Sequence, residues 1–293
     1  MIITKLQGGL GNQMFQYAAA RSISPDKPVY FDVSFLKTNN QSTDKFTARA
    51  FELSIFKNLQ GKSLNKVSQY LISTPTIFNH FLKKILQPSF QTIYENDLKT
   101  GVPVNEFKRT AIYLDGYFQD KDYVKSIRPQ LLKEFTFPDL KNDAKLWFNK
   151  ISESVNPVSV HVRRGDYLKT AILQYHGILP ISYYEKAINI MSEQFKDAHY
   201  FIFSDDIAWC QNNFDFLGNK TTIVDSTPLE NWTDMVLMSH CKHHIIANSS
   251  FGWWAAWLNV SPNKMVIAPQ NWFASEKSAG NTSNIVPQDW ITI

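Results

Sequence analysis

The sequence predicts an α/β protein with two domains, each built on a parallel sheet that helices cover. Short apolar segments rich in β-branched and aromatic residues alternate with helix-length segments, which is the order expected of consecutive βαβ units. A chain of 293 residues is long enough to form two such domains with ample cores. Pro138 and Pro157 bracket the expected junction, and we therefore predict domains at residues 1–150 and 151–293 that face each other across a ligand cleft.

The first half opens with a strand, a glycine-rich turn and a helix, because a short apolar segment gives way to glycines and then to a longer apolar pattern. In chain order we predict strands at 2–6, 29–32 and 111–119, helices at 12–22 and 121–133, a loop at 37–49 and mostly helical chain from there to about residue 90.

The second half shows the α/β alternation more clearly. We predict strands at 158–162, 200–204, 222–225, 244–248 and 264–268, helices at 182–195, 207–213, 230–239 and 250–258, and a loop at 163–180. Asn231 or Thr233 is available as the cap of the helix at 230–239.

Composition indicates a cytoplasmic protein without a disulfide framework or a metal. Hydrophobic residues make up 44% of the chain, and no run approaches the ~18 apolar residues of a membrane span. The N-terminus becomes polar after three residues, which is typical of a first strand and not of a signal peptide. Cys210 and Cys241 are the only cysteines, and no Cys and His spacing matches a zinc site.

Positive charge is concentrated in the first half. Residues 1–150 carry 21 Lys and Arg against 13 Asp and Glu, whereas residues 151–293 carry 9 against 13. Residues 76–86 have the pattern of a basic amphipathic helix, for which two interpretations stay open: peripheral contact with an anionic membrane, or a solvated helix packed on its own domain. Nucleic acid is not an expected partner, because no nucleic-acid-binding motif accompanies the lysines.

The most informative segment is His161-Val-Arg-Arg-Gly-Asp-Tyr167, where a predicted strand ends in two arginines, a glycine and an aspartate. In α/β sheets, ligands bind at the carboxyl ends of strands. The guanidinium groups of Arg163 and Arg164 offer planar, permanently charged donors that suit a phosphate or diphosphate. We favour an anion site over a surface cluster of salt bridges.

A second strand-to-helix turn, Gly8-Gly-Leu-Gly-Asn-Gln, would let the backbone approach a ligand closely. It lacks the third glycine of the dinucleotide fingerprint and the Gly-Lys-Ser/Thr of a P-loop. A tight turn alone also explains the glycines. Asn12 and Gln13 are the residues that we expect to face a ligand here.

Ser204, Asp205 and Asp206 follow the strand at 200–204. Two interpretations stay open for them: contact with ribose hydroxyls or a metal, and capping of the next helix by Ser204 or Asp205. Asp120-Lys-Asp122 formally matches the Asp-x-Asp motif of metal-dependent sugar transferases, but its place at a helix start favours a solvated cap.

The segment from Ala247 to Leu258 again runs from a strand into a helix. Ser249, Ser250 and the backbone amides that follow, including that of Phe251, form a candidate anion cradle. For the tryptophans Trp253, Trp254 and Trp257 we favour core packing over sugar stacking, because small residues lie between them.

Together these motifs resemble the α-1,2-fucosyltransferases of glycosyltransferase family 11, especially the bacterial enzymes of surface-polysaccharide synthesis. The matching segments are residues 8–18, 116–119, 161–167, 203–206 and 248–258. The His-x-Arg-Arg-x-Asp motif is shared with other fucosyltransferases, whereas the first and last segments are more specific. Residues 37–110 are the least recognisable part.

The resemblance implies a GT-B-like fold, with two Rossmann-like domains and GDP-L-fucose as donor. The second domain would bind the donor and the basic first domain most of the acceptor. By the same resemblance, Arg163 or Arg164 would bind the diphosphate of the donor, with His161 beside it, and Ser249 and Ser250 would contact phosphate oxygens. Asp205 or Asp206 would lie toward the ribose. Asp234 would lie near the guanine.

The expected reaction is an inverting transfer of fucose to the 2-hydroxyl of a terminal galactose, on an oligosaccharide or lipid-linked glycan such as O-antigen. Fixed cations can stabilise the departing GDP, so no metal or other cofactor is expected. The base that deprotonates the acceptor stays open among Asp166, Asp115 and His161. The alternatives are a transferase with another nucleotide sugar or linkage, and a non-catalytic carbohydrate-binding protein.

Overall fold

The chain forms two compact units. The computed structural model describes residues 1–65, 68, 90–95, 111–226, 229–274 and 284–293. The first unit comprises Met1–Thr43 and Thr47–Pro138, and the second comprises Asp44–Phe46 and Asp139–Ile293. The helix Asn142–Glu153, for which the sequence analysis made no prediction, belongs to the second unit and packs there against the helix Thr233–His240.

The first unit contains a five-stranded parallel sheet. Its strands are β1 (Ile2–Lys5), β2 (Val29–Asp32), β3 (Gly61–Ser63), β4 (Phe90–Tyr94) and β5 (Ala111–Asp115), in the spatial order β3-β2-β1-β5-β4. The strand order reverses between β1 and β5, which is where ligands of open α/β sheets usually bind.

The first unit contains the α-helices α1 (Leu10–Ile23), α2 (Ser34–Thr38), α3 (Lys121–Ser126) and α4 (Arg128–Glu134) and a 3-10 helix at Leu53–Ile55. Nearly all of α1 is buried, so it forms the centre of this unit's helical layer. The turn before α1 needs Gly8, whose φ of +75° is unfavourable for other residues.

The second unit contains a six-stranded sheet of parallel pairs. Its strands are β6 (Asn156–Val162), β7 (Ala198–Ser204), β8 (Thr221–Ile223), β9 (His243–Ile245), β10 (Val266–Ala268) and β11 (Ile291–Thr292), in the order β11-β10-β9-β6-β7-β8. Counted from β6, this is the 3-2-1-4-5-6 order of the Rossmann fold. The predicted α/β class with Rossmann-like domains is confirmed.

The helices described in the second unit are α5 (Asn142–Glu153), α6 (Thr170–His176), α7 (Ile181–Gln194), α8 (Ile207–Asn213), α9 (Thr233–His240) and α10 (Ser250–Leu258). β6 is almost wholly buried, as expected of a central parallel strand with both faces covered. Trp253 and Trp254 are fully buried and Trp257 nearly so, which confirms that the tryptophans pack in the core.

Several sequence-based predictions of local structure are wrong. The chain between 163 and 180 is not a loop throughout, because it contains a 3-10 helix at Asp166–Leu168 and α6. The strand β3 lies within the stretch expected to be mostly helical. Neither Asn231 nor Thr233 caps α9, whose preceding residue is Trp232.

The predicted basic amphipathic helix at 76–86 lies outside the described residues, and its membrane contact stays a prediction. Among the described residues, no helix combines the length and the apolar character needed to cross a bilayer.

Candidate active site

The candidate site lies at the carboxyl edge of the second sheet, around the point where the strand order reverses between β6 and β9. β6 pairs with β9 on one side and with β7 on the other, in the registers Val160 with Ile245 and Val162 with Ser204. The segments that follow these strands carry most of the residues predicted for the donor. The fold therefore brings together motifs that are more than eighty residues apart in the sequence.

Arg163 is fixed by two carboxylates. Its Nη1 lies 2.6 Å from Oδ2 of Asp205, and its Nη2 donates a hydrogen bond to Oδ1 of Asp166. Burial by itself would lower the pKa of Arg163, but the charges of Asp205 and Asp166 outweigh it and raise that pKa above its usual value. The guanidinium is therefore a permanent cation with a set orientation, and Asp166 holds it in place.

Asp205 also organises the backbone of the turn after β6. Its Oδ1 accepts hydrogen bonds from the amides of Arg164 and Gly165, at 2.9 and 3.0 Å. Gly165 leaves the space that this arrangement needs, since a Cβ there would lie 2.6 Å from Oδ2 of Asp205. The predicted role of Asp205 toward a ribose stays a prediction, and its observed role is to shape the turn that carries both arginines.

Arg164 is directed toward α8. Its Nε donates to Oδ2 of Asp206 at 3.1 Å, and its guanidinium carbon lies 4.2 Å from the centre of the Trp209 ring. Asp206 also caps α8, because its Oδ1 accepts from the amide of Trp209. The predicted cap by Ser204 or Asp205 is therefore wrong, because α8 begins only at Ile207, directly after Asp206. Ser204 accepts instead from the amide of Asp206.

His161 is buried near the end of β6, with 6% of its surface exposed. Burial, reinforced by the charge of Arg163 and partly opposed by Asp205, lowers the pKa of His161 to about 4. The ring is therefore neutral near pH 7. Its Nδ1 is buried without a hydrogen-bond partner among the described residues and lies against the first turn of α10. An imidazole this difficult to protonate is a poor general base.

The amino end of α10 is the second candidate anion-binding element. Ser249 is the cap, and its Oγ accepts from the amide of Phe251 at 3.3 Å. Ser250 and Phe251 are half-buried, and the Phe251 ring lies 5.9 Å from the His161 ring, centre to centre. The amides of a first helical turn favour an anion. This end follows β9 on the opposite side of the switch point from Arg164.

Asp234 lies in the first turn of α9. Burial raises the pKa of Asp234 to about 6, and the charge of Asp225 adds to the increase against the effect of a hydrogen bond with Ser226. Within the described residues, its Oδ1 is buried without a hydrogen-bond partner. A buried acceptor with no partner is suited to the N–H groups of a base such as guanine.

The predicted site residues of the first unit have other surroundings. Asn12 Oδ1 accepts from Gln119 at 2.7 Å. Gln13 is fully buried, and it bonds three backbone groups, those of Gly8, Ala50 and Glu52. The prediction that Gln13 faces a ligand is wrong, because its amide joins the glycine turn to the chain at 50–52.

The remaining acidic residues that the sequence singled out also have partners. Asp115 forms an ion pair with Lys5 at 3.0 Å. Asp120 caps α3 by accepting from the amide of Asp122, which confirms the predicted cap, but the residue is buried and not solvated as expected. Among the described residues, no group of His, Cys, Asp and Glu side chains has an arrangement suited to a metal ion.

Three further residues, for which the sequence predicted no role, contribute to the site: Tyr167, Asn248 and Trp209. Tyr167 donates from its hydroxyl to the carbonyl of Asn248, which links the segments after β6 and β9. Trp209 lies beneath Arg164. An aromatic residue directly after the Arg-Arg-Gly-Asp sequence was the only available signal for the first of these contacts.

Comparison with known proteins gives consistent results. The profile described as Glycosyl transferase family 11 matches residues 1–293. The chain is 35% identical to the O-antigen biosynthesis glycosyltransferase WbnK of Escherichia coli, over 98% of this chain and 99% of that protein. It is 31% identical to the alpha-1,2-colitosyltransferase of Escherichia coli, over 100% of this chain and 99% of that protein.

The fold has a relative among solved structures. The fucosyltransferase NodZ from Bradyrhizobium superposes with a TM-score of 0.52 at 13% sequence identity, over 87% of this chain and 92% of that one. This similarity supports the GT-B-like fold.

Proposed function

The chain belongs to glycosyltransferase family 11 and is a glycosyltransferase, and we propose that it transfers L-fucose from GDP-L-fucose to the 2-hydroxyl of a terminal galactose. The observation that carries this proposal is the fixed Arg163 guanidinium beside the switch point of a Rossmann-type sheet. The resemblance of the sequence to α-1,2-fucosyltransferases supplies the sugar and the linkage.

The arrangement of the second unit suits a nucleoside diphosphate donor. Arg163 offers a cation that is oriented before the ligand arrives, and the first turn of α10 adds backbone amides on the β9 side. Asp234 offers a buried acceptor for the guanine N–H groups. We therefore assign the diphosphate to Arg163 and the α10 amides, and the base to Asp234.

Departure of GDP leaves negative charge on the diphosphate in the transition state. Because Arg163 does not need to reorient, its stabilisation of that charge is pre-organised. We propose an inverting displacement that needs no metal, in which the acceptor hydroxyl attacks the anomeric carbon as its proton passes to a base. The lowered pKa of His161 argues against that residue as the base, which leaves Asp166 and Asp115.

The donor sugar has one specific alternative. The relative named as an alpha-1,2-colitosyltransferase matches the entire chain, and colitose is fucose without its 3-hydroxyl. A site that hydrogen-bonds this hydroxyl would discriminate against colitose by on the order of 10⁴. A transferase specific for colitose would show the opposite preference.

We propose that the acceptor is a galactose-terminated surface glycan of the O-antigen type, because of the similarity to WbnK. The first unit, with its excess of basic residues, would bind most of this acceptor. A lipid-linked glycan would bring the enzyme to a membrane surface without a spanning helix.

The test is turnover in the presence of a chelator, with GDP-L-fucose and GDP-colitose as donors and a panel of terminal β-galactosides as acceptors. We expect GDP release matched by a product with an α-1,2-fucosyl linkage. Arg163→Ala should lower turnover by about 10²–10⁴, and Lys186→Ala, at an exposed position, serves as the charge-removal control. If the enzyme prefers GDP-colitose, the transferred sugar is colitose and not fucose. If turnover is restored only by a divalent ion, the metal-independent mechanism is contradicted.

Binding of galactosides without GDP binding or GDP release would support the non-catalytic carbohydrate-binding alternative. That result would overturn the proposed transfer.

A further inference from the structure

The two anion-binding elements of the second unit lie on different segments. Arg163 follows β6, whereas the first turn of α10 follows β9. The strands themselves pair only as far as Val160 and Ile245. The relative position of the guanidinium and the helix amides therefore depends on contacts beyond the end of the sheet.

Tyr167 provides a direct contact between these segments. Its side chain is buried, and its hydroxyl donates to the backbone carbonyl of Asn248 at 3.2 Å. The guanidinium carbon of Arg163 lies 5.4 Å from the centre of the Tyr167 ring. One side chain thus touches the arginine and also holds the residue before Ser249, which caps α10.

The contact is supported from behind by α6. The His176 ring stacks on the Tyr167 ring with centres 4.7 Å apart and planes 17° apart. Asn248 Nδ2 donates to the carbonyl of His176 at 2.7 Å and to that of Trp272 at 3.2 Å. Both the Tyr167 ring and the Asn248 side chain are therefore anchored to the same short helix.

We propose that Tyr167 is a positioning residue, which sets the distance between Arg163 and the amino end of α10 and so lets both act on one diphosphate. This inference rests on the proposed function only in taking a nucleoside diphosphate as the ligand. Loss of the Tyr167 hydroxyl should reduce the contribution of the phosphates to the binding free energy. The contribution of the nucleoside should stay unchanged.

The chain offers a matched control. Tyr183 is also buried, and its hydroxyl donates to the carbonyl of Ile246 at 2.7 Å. Tyr183→Phe therefore removes the same kind of bond to the same segment, two residues before Asn248. Tyr183 lies on α7, and its side chain has hydrogen bonds and a ring contact with Ile246, Ile267 and Tyr184, none of which belongs to either anion-binding element.

The experiment measures the dissociation constants of GDP and of guanosine for wild type, Tyr167→Phe and Tyr183→Phe. The ratio of guanosine to GDP dissociation constants reports the contribution of the phosphates. In Tyr167→Phe we expect this ratio to fall by about fivefold, the effect of one neutral hydrogen bond, with guanosine binding unchanged. In Tyr183→Phe the ratio should stay at the wild-type value, although thermal unfolding should show that both variants have lost a buried bond.

An unchanged ratio in Tyr167→Phe, or an equal fall in both variants, would overturn the positioning role while leaving the proposed donor intact. A wild-type protein that binds neither compound would overturn the proposed donor class, and the positioning role with it. Because that outcome is seen before any substitution, the two failures are distinct.

Discussion

Gly252 and His161 are in such close contact that no larger residue fits at position 252: a Cβ there would lie 2.6 Å from Nδ1 of His161 and 3.0 Å from its Cγ. Glycine usually destabilises a helix by about 1 kcal/mol relative to alanine. In α10 the absence of a side chain instead allows the first turn of the helix to lie against the end of β6. The contact joins the two elements that we assign to the diphosphate.

Gly252→Ala is therefore expected to destabilise the protein despite the gain in helix propensity. The added methyl group must displace the His161 ring or the helix, at a cost of about 1–3 kcal/mol. The midpoint of urea unfolding should fall, and GDP binding should weaken.

Gly9→Ala is the matched control, because a Cβ at Gly9 would meet no atom closer than 3.7 Å. Its unfolding midpoint should stay near that of wild type. A more stable Gly252→Ala variant would show that the contact tolerates a methyl group.

Asp234→Asn should make the protein more stable at pH 7 while it weakens GDP binding. Burial raises the pKa of Asp234 to about 6. In the unfolded chain the pKa of this carboxyl is about 3.9. Between about pH 3.9 and pH 6 the folded state therefore binds more protons at this site than the unfolded state does. The contribution of the site to the free energy of unfolding falls as pH rises through that range. An amide removes this cost, which is up to about 3 kcal/mol, but it replaces one acceptor oxygen by an NH2 donor, which would repel the N–H groups of guanine.

The measurement is the difference in unfolding free energy between Asp234→Asn and wild type at pH 4 and pH 7, together with GDP affinity. The difference should be larger at pH 7. Wild-type GDP affinity should also decline below about pH 6, and Asp234→Asn should lack that decline. Equal GDP affinity in the two proteins would contradict the assignment of the base to Asp234.

Much of the fold could be predicted because the central strands β6 and β7 are short segments rich in valine or in aromatic residues. The predicted bounds of β6, β7 and the helix α8 agree with the observed bounds to within two residues. β3 has the polar sequence Gly-Lys-Ser at a sheet edge and therefore lacks a hydrophobic pattern. α6 buries none of its residues, so its adjacent apolar residues 171–173 do not form the periodic buried face by which a helix is predicted. For α5 the signal was present, since Ala144, Trp147, Phe148 and Ile151 follow helical spacing.

The sequence also predicted which segments form the candidate site, but not what each side chain does. Three consecutive polar residues, Ser204 to Asp206, run from the last position of β7 to the residue before α8. Which of them caps α8 depends only on where that helix begins. Gln13 and Asn12 are adjacent polar residues, yet only the burial pattern of α1 shows that Gln13 points inward. Contacts such as that of Tyr167 with Asn248 join positions 81 residues apart, which one sequence does not reveal.

Arg163 and Arg164 should differ in their importance for catalysis. Arg163 bridges Asp166 and Asp205 and lies beside Tyr167. Tyr167 contacts the segment after β9 through its hydrogen bond to Asn248. Arg164 is held by Asp206 and Trp209 on the α8 side. We expect Arg163→Ala to lower kcat/KM by about 10²–10⁴, as for other electrostatic stabilisers, and Arg164→Ala to lower it far less.

Arg163→Lys tests whether the forked geometry matters in addition to the charge, because an ammonium group cannot hold two carboxylates in the same way. It should recover only part of the lost rate. The diphosphate contact would have to be reassigned if Arg164→Ala proved the more damaging substitution in steady-state kinetics.

The second unit should lose stability in mild acid because it buries neutral histidines. Burial lowers the pKa of His161, His176 and His243 to about 4 and that of His244 well below its usual value. Below about pH 6.5 the unfolded chain binds protons that the folded chain does not, so the free energy of unfolding falls as pH falls toward 4. Four such sites outnumber Asp234, whose effect has the opposite sign.

His176→Phe isolates one of these sites, because phenylalanine keeps a ring against Tyr167 and the Nδ1 of His176 has no hydrogen-bond partner among the described residues. The free energy of unfolding of the variant, measured with urea, should exceed that of wild type by on the order of 1 kcal/mol at pH 5 and by much less at pH 7.5. The comparison at pH 7.5 serves as the control for packing. An equal difference at both pH values would mean that the substitution acts through packing alone, and that protonation of His176 does not drive the loss of stability.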